Sequence, residues 1–257
     1  MATLLLALAL GGCGLFADKT DERKNWGAPE FYKAAKEEFD NGNWEAAIKL
    51  YEQLESKFPF GRFAQQAALE SAYANYKQGE TANALTAVDR FIKTHPNHQN
   101  IDYALYLKAL INFKEDLGPL SRITRQDLAD RDPKAARESF EGFKELVNRF
   151  PESRYANDAR DRMAYLIEAL ARHEIRVARY YMAREAWLAA ANRAQDALVR
   201  FPTSPIQREA LDIMVEAYDR MNMPDLRDDA KKVLAKNFPN DRMAREGVNK
   251  KSWWKFW

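Results

Sequence analysis

Small and bulky apolar residues recur along this chain at helical spacing, and each recurrence is timed from a proline. Ala47 and Tyr51 stand 12 and 8 residues before Pro59, Ala84 and Val88 the same distances before Pro96, Ser139 and Phe143 before Pro151, and Ala190 and Ala194 before Pro202. Ala35 and Ala72 precede the first two sets by 12 residues. Each proline follows a ring: Phe58, His95, Phe150, Phe201 and, at Pro239, Phe238. A small residue followed one turn later by a bulky one is what a second helix presents where it packs on a first. Proline stops that helix because it lacks an N–H and crowds the preceding turn. Counting back from Pro239 reaches Arg227 and Lys231, so the last pair is degenerate, as suits a terminal repeat whose outer face meets water. No alternating apolar run is long enough for a strand, which predicts an all-α chain of about ten helices in five pairs.

The prolines lie 37, 55, 51 and 37 residues apart. A tetratricopeptide unit is about 34 residues, two antiparallel helices, so the spacing predicts a tetratricopeptide-repeat solenoid over 29–240 with two modified units. The extra residues before Pro151 contain Leu117-Gly118-Pro119 and the charged run Asp127 to Asp132, read as a long loop. Those before Pro202 contain no breaker from Arg154 to Tyr181, which predicts one elongated helix, longer by about four turns or ~20 Å. Asp132-Pro133 and Ser204-Pro205 are expected to cap helices with proline at the first helical position, and Asn43 to cap the helix opening at Trp44.

The two ends add a location. Met1 to Gly12 is uncharged and includes Leu4 to Leu10, too short to span a bilayer and fitting a secretory signal. Leu10-Gly11-Gly12-Cys13 matches a bacterial lipobox, so Cys13, the only cysteine, is expected to carry lipid, with 1–12 as signal and 13–28 as linker. No basic residue precedes the apolar run, which leaves the true start open upstream of Met1. Gly14 stands where aspartate would signal inner-membrane retention, so the expected destination is the outer membrane with the body facing the periplasm. The tail 241–257 holds five basic and two acidic residues, and its rings Trp253, Trp254, Phe256 and Trp257 suit a membrane interface.

Composition then excludes classes. Forty Lys and Arg against 38 Asp and Glu give a net charge of +2, without the concentrated basic face of a nucleic-acid-binding body. Three histidines, no HExxH, no glycine-rich phosphate loop and no GxSxG elbow speak against an enzyme, a metal site or a cofactor.

Several motifs taken in order carry a resemblance: Gly42-Asn43-Trp44 with Ala47-Ile48, Phe58-Pro59-Phe60-Gly61, Asp89-Arg90-Phe91-Ile92, Asn100-Ile101-Asp102-Tyr103, Asp130-Arg131-Asp132-Pro133, Ala186-Trp187 and Asn192-Arg193. From the lipobox to about Pro239 the chain resembles the BamD (ComL) family, outer-membrane lipoproteins of the β-barrel assembly machinery. The resemblance implies a scaffold that binds the POTRA region of BamA, accessory Bam lipoproteins through the C-terminal half, and the C-terminal targeting segment of unfolded outer-membrane proteins. By motif, Arg193, Asn192, Arg90 and Lys93 are the expected BamA contacts, with Arg193 first because a guanidinium pairs bidentately with a carboxylate. Its charge reversal is expected to leave folding intact. Phe58, Phe60, Tyr73 and Tyr76, with Tyr180 and Tyr181 as a second patch, are the expected client contacts. The client-binding half is placed at 29–115 and the scaffold half at 133–240. A generic periplasmic repeat lipoprotein acting in envelope or division complexes is the alternative.

Overall fold

A computed structural model describes residues 23–113 and 133–246. The described residues are helices and short connectors without strand, in two compact units that divide after Asn97. The first unit has a 3-10 turn at Arg23–Asn25, then α1 (Ala28–Asp40), α2 (Trp44–Lys57), α3 (Arg62–Gln78) and α4 (Thr81–Thr94). The second has α5 (Ile101–Phe113), α6 (Pro133–Arg149), α7 (Ala156–Ala183), α8 (Trp187–Arg200), α9 (Gln207–Arg220), α10 (Pro224–Asn237) and the short α11 (Arg242–Glu246). The division puts α5 with the second unit, although the sequence reading counted it in the client-binding half.

Within each unit every helix packs on its neighbours in sequence, and α1 also touches α3, as α7 touches α9. That is the stacking of tetratricopeptide pairs, and its backbone repeats. Phe58, His95, Phe201 and Phe238 share φ between −128 and −133° and ψ between 54 and 69°, outside the helical region that the following proline disfavours. Each still donates its N–H to the carbonyl four residues back, at 2.7–3.0 Å, closing the last helical bond before the chain turns. The turns inside four pairs repeat as well. Gly42, Gly79, Glu185 and Asn222 adopt positive φ. The next residue in each case donates to the carbonyl five back, namely Glu38, Asn75, Tyr181 and Tyr218, the Schellman closure of a helix C-terminus.

The timed positions form the core. Ala35, Ala47, Tyr51, Ala72, Ala84, Val88, Ser139, Phe143, Ala190 and Ala194 are fully buried. On α10 only Ala230 and Leu234 are buried, so the last pair is as thin as its sequence. Small residues set helix spacing. In α6, Gly142 lies so close to α5 that a Cβ there would sit 3.0 Å from the Ala109 Cβ, while Ser139 donates its hydroxyl to the Ala109 carbonyl at 2.9 Å. The elongated helix is α7, 28 residues without interruption.

Two expected caps differ. Asn43 stands at the N-cap of α2, but its amide donates to Glu38 at 2.8 Å and makes no cap bond. Ser204-Pro205 lies in a turn, and α9 begins only at Gln207, because Ser204 closes back on Phe201 first. Cys13, the signal, the linker up to residue 22, the insertion with Asp132, and Trp253, Trp254, Phe256 and Trp257 lie outside the described residues.

Candidate functional site

In the first unit α3 packs against both α2 and α4, and the face it turns toward the space between them is made of small residues. Ala64, Ala68, Ser71 and Asn75, spaced 4, 3 and 4 along α3, form one stripe. They are the floor of an open groove of about 830 Å³. Glu52, Glu55 and Ser56 of α2 make one wall; Asn83, Thr86, Ala87, Arg90 and Thr94 of α4 make the other. Phe91 and His95 also line it, and Pro59 and Phe60 belong to the corner between α2 and α3. Gly61 follows with φ +96°, a conformation that only glycine adopts without strain, and Phe60 is left 90% exposed.

One ion pair bridges the walls: Arg90 Nη2 lies 2.7 Å from Glu55 Oε2. Burial raises the Glu55 carboxyl above its ordinary value, Arg90 offsets part of that rise, and the neighbouring Glu52 adds to it. Thr86, Thr94 and Asn75 spend a hydrogen bond each on their own helices, at the carbonyls of Ala82, Arg90 and Ser71.

The expected client contacts do not form one surface. Phe60 lines the groove. Phe58 is half-buried and packs into the first pair, its ring 6.4 Å from that of Phe31. Tyr73 and Tyr76 point away from the groove floor into a ring cluster, Tyr73 lying 5.5 Å from Phe39 and 6.2 Å from both Trp44 and Tyr76. Beside that cluster Glu70 accepts the hydroxyls of Tyr32 and Tyr51, so this face of α3 is a satisfied polar-aromatic core. Tyr180 and Tyr181 end α7 in the other unit. Tyr180 is 52% exposed, with the Arg184 guanidinium 3.7 Å above its ring.

The expected BamA contacts also divide. Arg90 lines the groove wall and Lys93 is exposed on the same helix. Asn192 and Arg193 are on α8. Asn192 is exposed on a face it shares with the apolar Leu188 and Val199. Arg193 is turned inward: its Nη1 lies 3.0 Å from Oε2 of Glu174, a carboxylate on α7 that is 1% exposed. Arg200 of α8 at 3.0 Å and Arg137 of α6 at 3.4 Å hold the other oxygen. One buried anion therefore ties three helices through three half-exposed cations. The expectation that reversing Arg193 leaves folding intact does not survive this geometry, because the new carboxylate would face Glu174.

Sequence reasoning missed Glu52, Glu55 and Glu174. The first two were readable as an i, i+3 acidic pair on one helix face. Glu174 was not, since nothing in the spacing of one glutamate inside a long helix announces three cations from two other helices.

Comparison with known proteins follows the same outline. The model of the YfiO family, described as outer membrane lipoprotein, matches residues 25–234. The outer membrane protein assembly factor BamD of Neisseria meningitidis serogroup B (strain ATCC BAA-335 / MC58) is 43% identical over 262 residues, covering 100% of this chain and 98% of that protein. BamD of Vibrio cholerae serotype O1 (strain ATCC 39315 / El Tor Inaba N16961) is 34% identical over 234 residues, covering 91% of this chain and 96% of the relative. Among solved structures, the TPR2AB domain of yeast Sti1 in its pHSP90 complex aligns with TM-score 0.45 at 13% identity, covering 83% of this chain and 78% of that one, too loose a likeness to carry an argument.

Proposed function

The chain belongs to the YfiO family of outer membrane lipoproteins, with BamD relatives that match it along nearly their whole length, and from that membership we propose that it is a non-enzymatic scaffold in outer-membrane protein assembly. Its first unit receives the C-terminal targeting segment of an unfolded outer-membrane protein, and α8 of its second unit docks on the POTRA region of BamA. Accessory Bam lipoproteins bind the C-terminal half. Lipid on Cys13 anchors the chain to the outer membrane with its body in the periplasm.

The observation that carries the client half of this reading is the groove of the first unit. An apolar and small-residue floor, polar walls and a ring exposed at one end suit an extended peptide with an aromatic residue. For the BamA half, support comes from α8, where exposed Leu188, Asn192 and Val199 lie beside guanidinium groups already fixed in orientation by Glu174. A cation held in place loses less entropy on meeting a partner carboxylate. Asn192→Trp blocks this face from an exposed position, so the fold is expected to stand. Co-purification from detergent-solubilised outer membranes should recover BamA with the parent chain and at least ten-fold less with this variant. Equal recovery with both would remove α8 from the interface.

A further inference from the structure

The groove of the first unit is charged unevenly, and the imbalance specifies what fits it. Its lining carries two carboxylates, Glu52 and Glu55, against a single guanidinium, Arg90. Arg90 is committed to Glu55. Glu52 is exposed, and among the described residues it has no cation within ion-pair distance, Lys49 of the same helix being turned to Glu45 at 2.6 Å. The two carboxylates stand three residues apart on one face of α2, close enough that Glu52 opposes ionisation of Glu55. The groove thus keeps one uncompensated negative charge on a wall that leads, five residues on from Glu55, to the exposed ring of Phe60.

We propose that Glu52 and Glu55 make this groove selective for a chain end that carries a lysine or arginine next to its aromatic residue. This rests on the reading that a client's C-terminal segment enters the groove, and it names the class of segment. The aromatic side chain lies on Phe60 and the alanine floor, where it removes apolar surface from water. The neighbouring basic side chain reaches the α2 wall, pairs with Glu52 and relieves the repulsion between the two glutamates. An acidic residue at that place meets the same wall at a cost. Arg90 fixes Glu55 and keeps that carboxylate from leaning into the slot. The attraction is that of an exposed pair, worth a few-fold in affinity and weakened by salt.

Fluorescence anisotropy of the full chain with synthetic peptides of about ten residues tests it. The peptides end in an aromatic residue and differ only in having Lys, Gln or Glu beside it. The Lys peptide should bind about three-fold tighter than the Gln peptide, and the Glu peptide weaker by a similar factor, at low salt. Glu52→Gln should erase the difference and Glu52→Lys invert it, both from an exposed position that leaves the fold alone. Phe60→Ser should weaken all three peptides together. A preference untouched by Glu52→Lys overturns the selectivity while leaving the groove occupied if Phe60→Ser still weakens binding of all three peptides. Binding indifferent to both Glu52→Lys and Phe60→Ser overturns the selectivity and the groove reading with it.

Discussion

Replacing Arg193 by glutamate probes how the second unit is held together. In the parent chain the guanidinium is 3.0 Å from a carboxylate that is 1% exposed, and Arg200 and Arg137 share the same anion at 3.0 and 3.4 Å. Reversal removes one attraction and adds one repulsion. At an effective dielectric constant of about 20, two like charges about 5 Å apart repel by roughly 3 kcal/mol. The new side chain is on a half-exposed position and can swing toward solvent, while two arginines remain to hold Glu174. The realised cost is therefore about 2–4 kcal/mol, at the low end of or just below the roughly 3–5 kcal/mol for breaking a fully buried pair. For the second unit that corresponds to a fall in Tm of roughly 5–15 °C. Circular dichroism at the helical band, followed against temperature and urea, measures it. Arg193→Gln keeps a donor for Glu174 and should cost about 1–2 kcal/mol. Adding Glu174→Gln to Arg193→Glu should recover part of the loss, because it removes the repelling partner. Unchanged melting of Arg193→Glu would show that the cluster contributes nothing to the fold.

Two other perturbations follow from buried contacts. Burial, and then the nearby Asp241, push the Asp212 carboxyl up to about 7, with Arg208 opposing and Glu209 adding to the rise. Because this folded value lies above the unfolded one of about 3.9, ionised Asp212 is penalised. The penalty is absent below pH ~4, grows toward pH 7 and is complete above it. Asp212→Asn should accordingly raise Tm at pH 8 and do so much less at pH 5; an equal gain at both would place the cause elsewhere. Gly142→Ala should destabilise by about 1 kcal/mol, since a Cβ 3.0 Å from the Ala109 Cβ and 3.3 Å from its Cα forces α5 and α6 apart, outweighing the better helix propensity of alanine. A higher melting temperature would mean that propensity wins.

The repeat was legible because its signals are local. A proline fixes the residue before it, and a small residue followed by a bulky one packs the same way from pair to pair, so Ala47 and Tyr51 foretell Ala84 and Val88. The long α7 was legible for a similar reason, since nothing from Arg154 to Tyr181 breaks a helix. Ser204-Pro205 was misleading because the same dipeptide serves a turn as well as a helix start. The site was only partly legible. Phe60 and Arg90 meet in one groove, yet Phe58 and Phe60, two residues apart across a proline, point into core and solvent respectively. Tyr73 and Asn75, also two apart, fall on opposite sides of α3, as 100° per residue requires. Motif membership gives a position along the chain and not a direction from the helix axis. Arg193 shows the same limit: its spacing gave a cation on α8, and only the packing of α7 beneath it revealed a buried anion.

The claim that the first-unit groove receives the client is tested most directly by photo-crosslinking. A light-activated residue is placed singly at Thr86 on the groove wall, at Phe60, and at Tyr76 in the ring cluster of α3, turned away from the groove floor, in the full chain mixed with a labelled peptide from the C-terminus of an outer-membrane barrel protein. Strong crosslinks from 60 and 86 with little from 76 are the predicted result. Crosslinks from 76 alone, with 60 and 86 silent, would contradict it and move the client to the ring cluster of Tyr73 and Tyr76.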